Sequence, residues 1–167
     1  LCVGTCGISW TIAYIALVYR GFKDKTYGMP LIPLALNLAW EITFSLIYPP
    51  RAMGHLEQFL NAVWMIFDVF IVATFFLYGY PSFQKSYKIS KGVWVFFSVF
   101  AFAVSMGIMV TAGAFFGQFD TYFHRDTFEG GKFIAFIQNL VMSISFIVMF
   151  WERQSSAGQS FTIAWSK

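Results

Sequence analysis

The feature that most constrains this chain is a succession of long apolar runs, each close to twenty residues and almost free of charge. A run of that length spans the hydrocarbon core of a bilayer as a helix. Inside lipid every backbone N–H and C=O must be bonded internally, so only helices or closed barrels can cross. Barrel strands alternate apolar and polar residues with a period of two, and these runs do not. The sequence therefore predicts an all-α, polytopic transmembrane bundle of at least five spans.

Five spans are expected, at about 1–19, 30–48, 59–78, 93–116 and 133–151. Ser160 to Trp165 is apolar enough to open a sixth. Pro30 and Pro33 fit the first turn of the second span, where a missing N–H costs least; Pro49 and Pro50 end it, since proline cannot continue a helix. Short links between consecutive helices imply antiparallel neighbours, and no repeat or linker divides the chain. Residues 1–167 read as one bundle. The chain opens on Leu1 within an apolar run, with no signal-peptide pattern, and stops at Lys167 just after another run starts. It is expected to be cut at both ends.

Charge sets the expected orientation. Only 11% of residues are charged, against about 25% in soluble domains. Arg20, Lys23, Lys25, Lys85, Lys88, Lys91 and Arg153 fall on one side, and Arg51, Arg125 and Lys132 on the other. The positive-inside rule makes the richer side cytosolic and the N-terminus lumenal or outside; the membrane expected is that of the endoplasmic reticulum, with the N-terminus lumenal. Basic residues confined to loops give no nucleic-acid surface. Lys85, Lys88 and Lys91 also suit contact with anionic lipid. Cys2 and Cys6 lie one helical turn apart with no His or Cys partner at ligand spacing, which suits helix packing better than zinc.

Two carboxyl groups fall inside spans: Glu41 near the middle of the second and Asp68 near the middle of the third. A carboxylate at that depth costs about 2.5 kcal/mol or more, which makes it a functional candidate by default. Antiparallel neighbours put both at one depth. Asn37, Glu41 and Ser45 share a helix face, as do Asn61, Trp64 and Asp68. Removal from water favours the neutral form of a carboxyl group. A neutral acid in a dry pocket lined by rings can protonate a hydrocarbon-like substrate, and aromatic faces stabilise the resulting cation. Glu41, Asp68 and Asn37 are the candidate catalytic residues. Trp40, Trp64, Phe44 and Phe67 are the candidate substrate-binding ones. Each polar group can instead be interhelical glue, and Gln138 and Asn139 suit that role best; Gln118, at the end of the fourth span, adds a polar group toward the lumenal side. No nucleotide loop, HExxH or GxSxG string is present. Asp120, Asp126 and Glu129 read as a solvated loop rather than a diphosphate-ionising metal cluster.

The stretch Phe22 to Pro50, FKDKTYGMPLIPLALNLAWEITFSLIYPP, resembles the integral-membrane terpene cyclases of fungal meroterpenoid and indole-diterpene pathways, the paxilline-type family. The resemblance rests on Lys25-Thr26-Tyr27-Gly28-Met29, on Asn37-x-x-Trp40-Glu41 and on Tyr48-Pro49, with support from WMIFD (Trp64 to Asp68) and from Gly158-Gln159-Ser160-Phe161. It implies a protein of seven spans. It also implies that a terminal epoxide on a prenyl chain is protonated, with no metal or cofactor. The prenyl chain would be attached to an aromatic or polyketide-derived group, and cyclisation and proton loss would follow. Glu41 then inherits the acid role. The family's second essential carboxylate lies in a last span that this sequence does not reach. A proton-coupled transporter, with Glu41 and Asp68 as a relay, and a non-catalytic scaffold are the competing readings.

Overall fold

The structure is a computed structural model that describes residues 2–49 and 55–166, with side chains over 4–49 and 58–166. Leu1, the side chain of Cys2, Pro50, Arg51 and Lys167 lie outside the described residues. The elements among the described residues are all helices, joined by short links, with no strand among them. α1 is Cys2–Lys23 and α2 is Leu31–Ile42, which continues directly into a π-helical segment, Thr43–Ile47. α3 is His55–Tyr78, α4 Tyr80–Tyr87 and α5 Lys91–Phe116. α6 is Asp120–Phe123, α7 Thr127–Arg153 and α8 Phe161–Ser166. Among the described residues, three stretches are long and apolar enough to cross a membrane by themselves: Gln58–Tyr78, Lys91–Phe116 and Thr127–Arg153. Leu31–Ile47 is apolar but shorter, and α1 covers the first expected span and runs four residues past it.

Local signals explain the helix ends. Pro30 sits at the N-cap of α2. Ser90 caps α5 by accepting from the Val93 N–H, and Asp126 caps α7 by accepting from the Phe128 N–H at 2.8 Å, each satisfying a donor that the first turn leaves free. Asp126 is thus a helix cap, and Glu129 pairs with Lys132 at 2.7 Å. Neither lies in an open loop, because α7 starts six residues earlier than the hydropathy alone suggests.

α2 is the centre of the bundle and packs on α3, α5 and α7, while α1 packs on α3 and α8. Large apolar side chains cover the outside, among them Phe96, Phe100, Phe136, Ile147 and Trp151. Lipid is as apolar as these residues, so what holds helices together is close packing and polar contact rather than water exclusion. Gly131 shows this. A Cβ there would lie 2.5 Å from the Phe44 ring, and Phe44 is fully buried with no room to retreat. Gly131→Ala is expected to destabilise the bundle by about 1–3 kcal/mol through overpacking, read as a lower melting temperature of the detergent-solubilised protein. An unchanged melting temperature would show that this helix contact is not tight.

At the end of the bundle rich in basic residues, the two outlying sequence strings meet. Arg20 Nε donates to the Gln159 carbonyl at 3.1 Å, the Gly158 N–H donates to Asp24 at 2.9 Å, and the Gln159 side chain donates to the Gly28 carbonyl. Arg153 donates to the Tyr27 carbonyl at 3.0 Å and lies 3.9 Å over the Tyr27 ring. Gly158 adopts φ +76° against Thr26 and Tyr27, a backbone conformation that costs only glycine nothing. The Lys25–Met29 and Gly158–Phe161 strings form a clasp that ties the start of α8 to the α1–α2 link.

Candidate functional site

The site is built at the level where α1, α2, α3 and α7 converge. Asn37 is the junction. Its Nδ2 donates to Asp68 Oδ2 at 2.8 Å and to the Tyr14 hydroxyl, and its Oδ1 accepts from Gln138 Nε2 at 2.7 Å. The Tyr14 hydroxyl in turn donates to Glu41 Oε1 at 3.4 Å. All five side chains are buried. The donors run in one direction, from Gln138 through Asn37 to Asp68, and through Tyr14 to Glu41. The other oxygens of the two carboxyl groups, Glu41 Oε2 and Asp68 Oδ1, are buried without a hydrogen-bond partner. Such groups are rare in folded proteins, and each calls for an explanation.

Above this floor is a cavity of about 420 Å³, within the range of small-molecule sites. Glu41, Asn37, Tyr14 and Gln138 line its base, and Trp10, Trp40, Trp64 and Phe128 its walls. Two of the indole rings are fixed by their N–H groups: Trp40 donates to the Gly131 carbonyl at 2.8 Å and Trp64 to Thr11 Oγ1 at 3.0 Å. Both Cys6 and Phe136 line the cavity and are exposed, which marks its mouth at the end of the bundle holding the N-termini of α1, α3 and α7.

Of the residues singled out in the sequence, Asn37, Trp40, Glu41 and Trp64 come together around this cavity. Asp68, Phe44 and Phe67 stand one layer behind it. Asp68 reaches the site only through Asn37. Phe67, one residue earlier on α3, is turned toward α1 and stacks on Tyr14 at 6.1 Å. Phe44 supports Trp40 from behind at 5.1 Å. The expected Asn37–Glu41–Ser45 stripe holds as far as Glu41. The wider turn that begins at Thr43 shifts the phase, and Ser45 is buried with its hydroxyl unpaired. Gln138 and Asn139, read as glue, both line the cavity, and Gln138 fixes Asn37. Tyr14, Trp10 and Phe128 were not singled out. For Tyr14 a signal existed: a tyrosine in the middle of a span is out of place, since its hydroxyl normally seeks the interfacial belt.

The sequence matches the family model of Pyr4-like transmembrane terpene cyclases over residues 1–167. The chain belongs to this family. Among curated Pyr4-family relatives, the Pyr4-family terpene cyclase mfmH of Annulohypoxylon moriforme is 27% identical over 164 residues, covering 98% of this chain and 61% of that protein. Terpene cyclase pyr4 of Aspergillus fumigatus is 28% identical over 160 residues, 94% of this chain and 60% of that protein. Terpene cyclase ptmB of Penicillium ochrochloron is 46% identical over 54 residues, which cover 32% of this chain and 22% of that protein. This Pyr4-like chain thus spans about three fifths of the length of the first two. No solved structure matches it.

Proposed function

We propose that this Pyr4-family membrane protein is a terpene cyclase that starts its reaction with a proton from Glu41. The observation that carries the reading is a buried glutamate with one oxygen held by Tyr14 and the other unpaired, at the base of a cavity walled by aromatic rings. The substrate is a hydrophobic prenyl chain, epoxidised at its far end, on an aromatic or polyketide-derived group, as in fungal meroterpenoid and indole-diterpene biosynthesis. It reaches the cavity from the bilayer. The protein resides in the endoplasmic reticulum with its N-terminus lumenal.

In this reaction the Glu41 O–H bond breaks and its proton passes to the epoxide oxygen. A C–O bond of the epoxide opens to give a hydroxyl group and a carbocation. The π electrons of successive alkenes form the new C–C bonds. Loss of a C–H proton restores an alkene, so the product is an isomer of the substrate and no metal or cofactor takes part. Trp10, Trp40, Trp64 and Phe128 offer π faces to the moving positive charge, each such contact being worth about 0.5–2 kcal/mol. Asn37, held by Gln138, orients both carboxyl groups. Asp68 is a positioning residue that tunes Glu41 or takes part in the return of the proton.

Asp68→Asn tests the last assignment. Asparagine keeps an acceptor for Asn37 Nδ2, so turnover is expected to fall by roughly 10–100-fold with apparent substrate affinity unchanged. Loss of membrane abundance with normal activity per molecule would make Asp68 purely structural.

A further inference from the structure

The cavity has two chemically different ends, and the cyclisation chemistry uses only one. Glu41 is the one carboxyl group among its described lining residues, and Lys132 the one cation. Lys132 lies on α7 a little under two turns before Gln138, about 9 Å along the helix axis. The carboxyl group therefore belongs to the floor and the ammonium to the rim. Asn61 also lines the cavity, on α3, nearly two turns before Asp68 and toward the same rim. It is only 2% exposed, and its Nδ2 is buried with no acceptor. An amide donor in that state is costly unless something supplies an oxygen.

Lys132 can also take part, although its Nζ bonds Glu129 and lies 5.2 Å over the Phe128 ring. Its partner Glu129 lies at 2.7 Å, but the two side chains are 37% and 38% exposed, and a pair so open to solvent contributes little. An ammonium has three donors, so a second acceptor need not displace Glu129.

We propose that Lys132 and Asn61 form a head-group site that takes an acidic oxygen, an enolate, phenolate or carboxylate, on the non-prenyl end of the substrate. The head is held at the rim and the prenyl tail runs inward to Glu41. The site is a specificity determinant rather than part of the acid chemistry, and it rests on the reading of this cavity as a cyclase site.

Binding tests it without turnover, since Trp10, Trp40 and Trp64 line the cavity and their fluorescence reports occupancy. The probes are a farnesylated hydroxybenzoic acid with no epoxide and its methyl ester. They are titrated into the protein expressed from its whole reading frame, in nanodiscs. The wild type is expected to bind the acid about tenfold more tightly than the ester. Lys132→Met and Asn61→Leu are expected to bring the two affinities within about twofold by weakening the acid alone, and Lys132→Arg to keep the preference. Equal binding of acid and ester by the wild type, or a preference that survives both Lys132→Met and Asn61→Leu, overturns the proposal. If the ester no longer binds a variant, the fold has failed there and the wild-type and Lys132→Arg ratios decide. Neither probe can be cyclised. Equal binding of acid and ester by the wild type, with Glu41→Gln inactive, therefore rejects the rim alone, and full turnover by Glu41→Gln with the wild-type preference present rejects the acid alone.

Discussion

Glu41→Gln is expected to lower formation of cyclised product from an epoxidised prenyl substrate by roughly 10²–10⁴-fold, the usual worth of a positioned general acid. Membrane abundance should be unchanged. The substitution is close to isosteric. The amide oxygen can still accept from the Tyr14 hydroxyl, as Oε1 does now, and the amide nitrogen takes the place of an oxygen that has no protein partner. What disappears is the transferable proton. Wild-type turnover by this variant would remove the acid assignment and leave the scaffold reading in place. Collapse of the protein from the membrane would mean that Glu41 serves the fold first.

The second large effect is expected at Asn37. Asn37→Leu fills similar space but deletes every bond at the junction. Gln138 Nε2 loses its acceptor. Asp68 loses the donor to its Oδ2, while Oδ1 is already unpaired. A buried carboxyl group with neither oxygen bonded is among the most expensive defects a core can hold, so a loss of about 2–4 kcal/mol is expected. It should appear as a melting temperature several degrees lower and as loss of cyclisation. Gln138→Leu in the same background should cost little more, because its bond is already gone; the two changes are coupled rather than additive. A thermally normal, active Asn37→Leu protein, or strict additivity with Gln138→Leu, would show that the junction holds nothing together.

The two substitutions separate chemistry from architecture. At Glu41 the fold should survive and the reaction fail. At Asn37 both should fail, since the same amide fixes Asp68 directly and Glu41 through Tyr14.

Much of this was legible in the chain itself. Uncharged runs of bilayer length dictate helices, because backbone groups in lipid have no other partner; a helix covers each of the five expected stretches, with ends shifted by up to six residues, and three of the described ones are long and apolar enough to cross a membrane by themselves. The depth of Glu41 and Asp68 follows from position in a helix, as does the sharing of one face by Asn37 and Glu41. Hydropathy cannot give the rotation of one apolar helix against the next, since lipid and side chain are interchangeable to it. So it was tertiary contact that turned Tyr14 of α1 and Gln138 of α7 onto Asn37, and that set Asp68, Phe44 and Phe67 behind the cavity wall. The π turn at Thr43 was equally unreadable, and it moves Ser45 off its expected stripe. Sequence spacing determines what one helix presents along its length. Which of those faces meet is decided by close packing at points such as Gly131 against Phe44, and by the need of each buried donor for an acceptor on another helix.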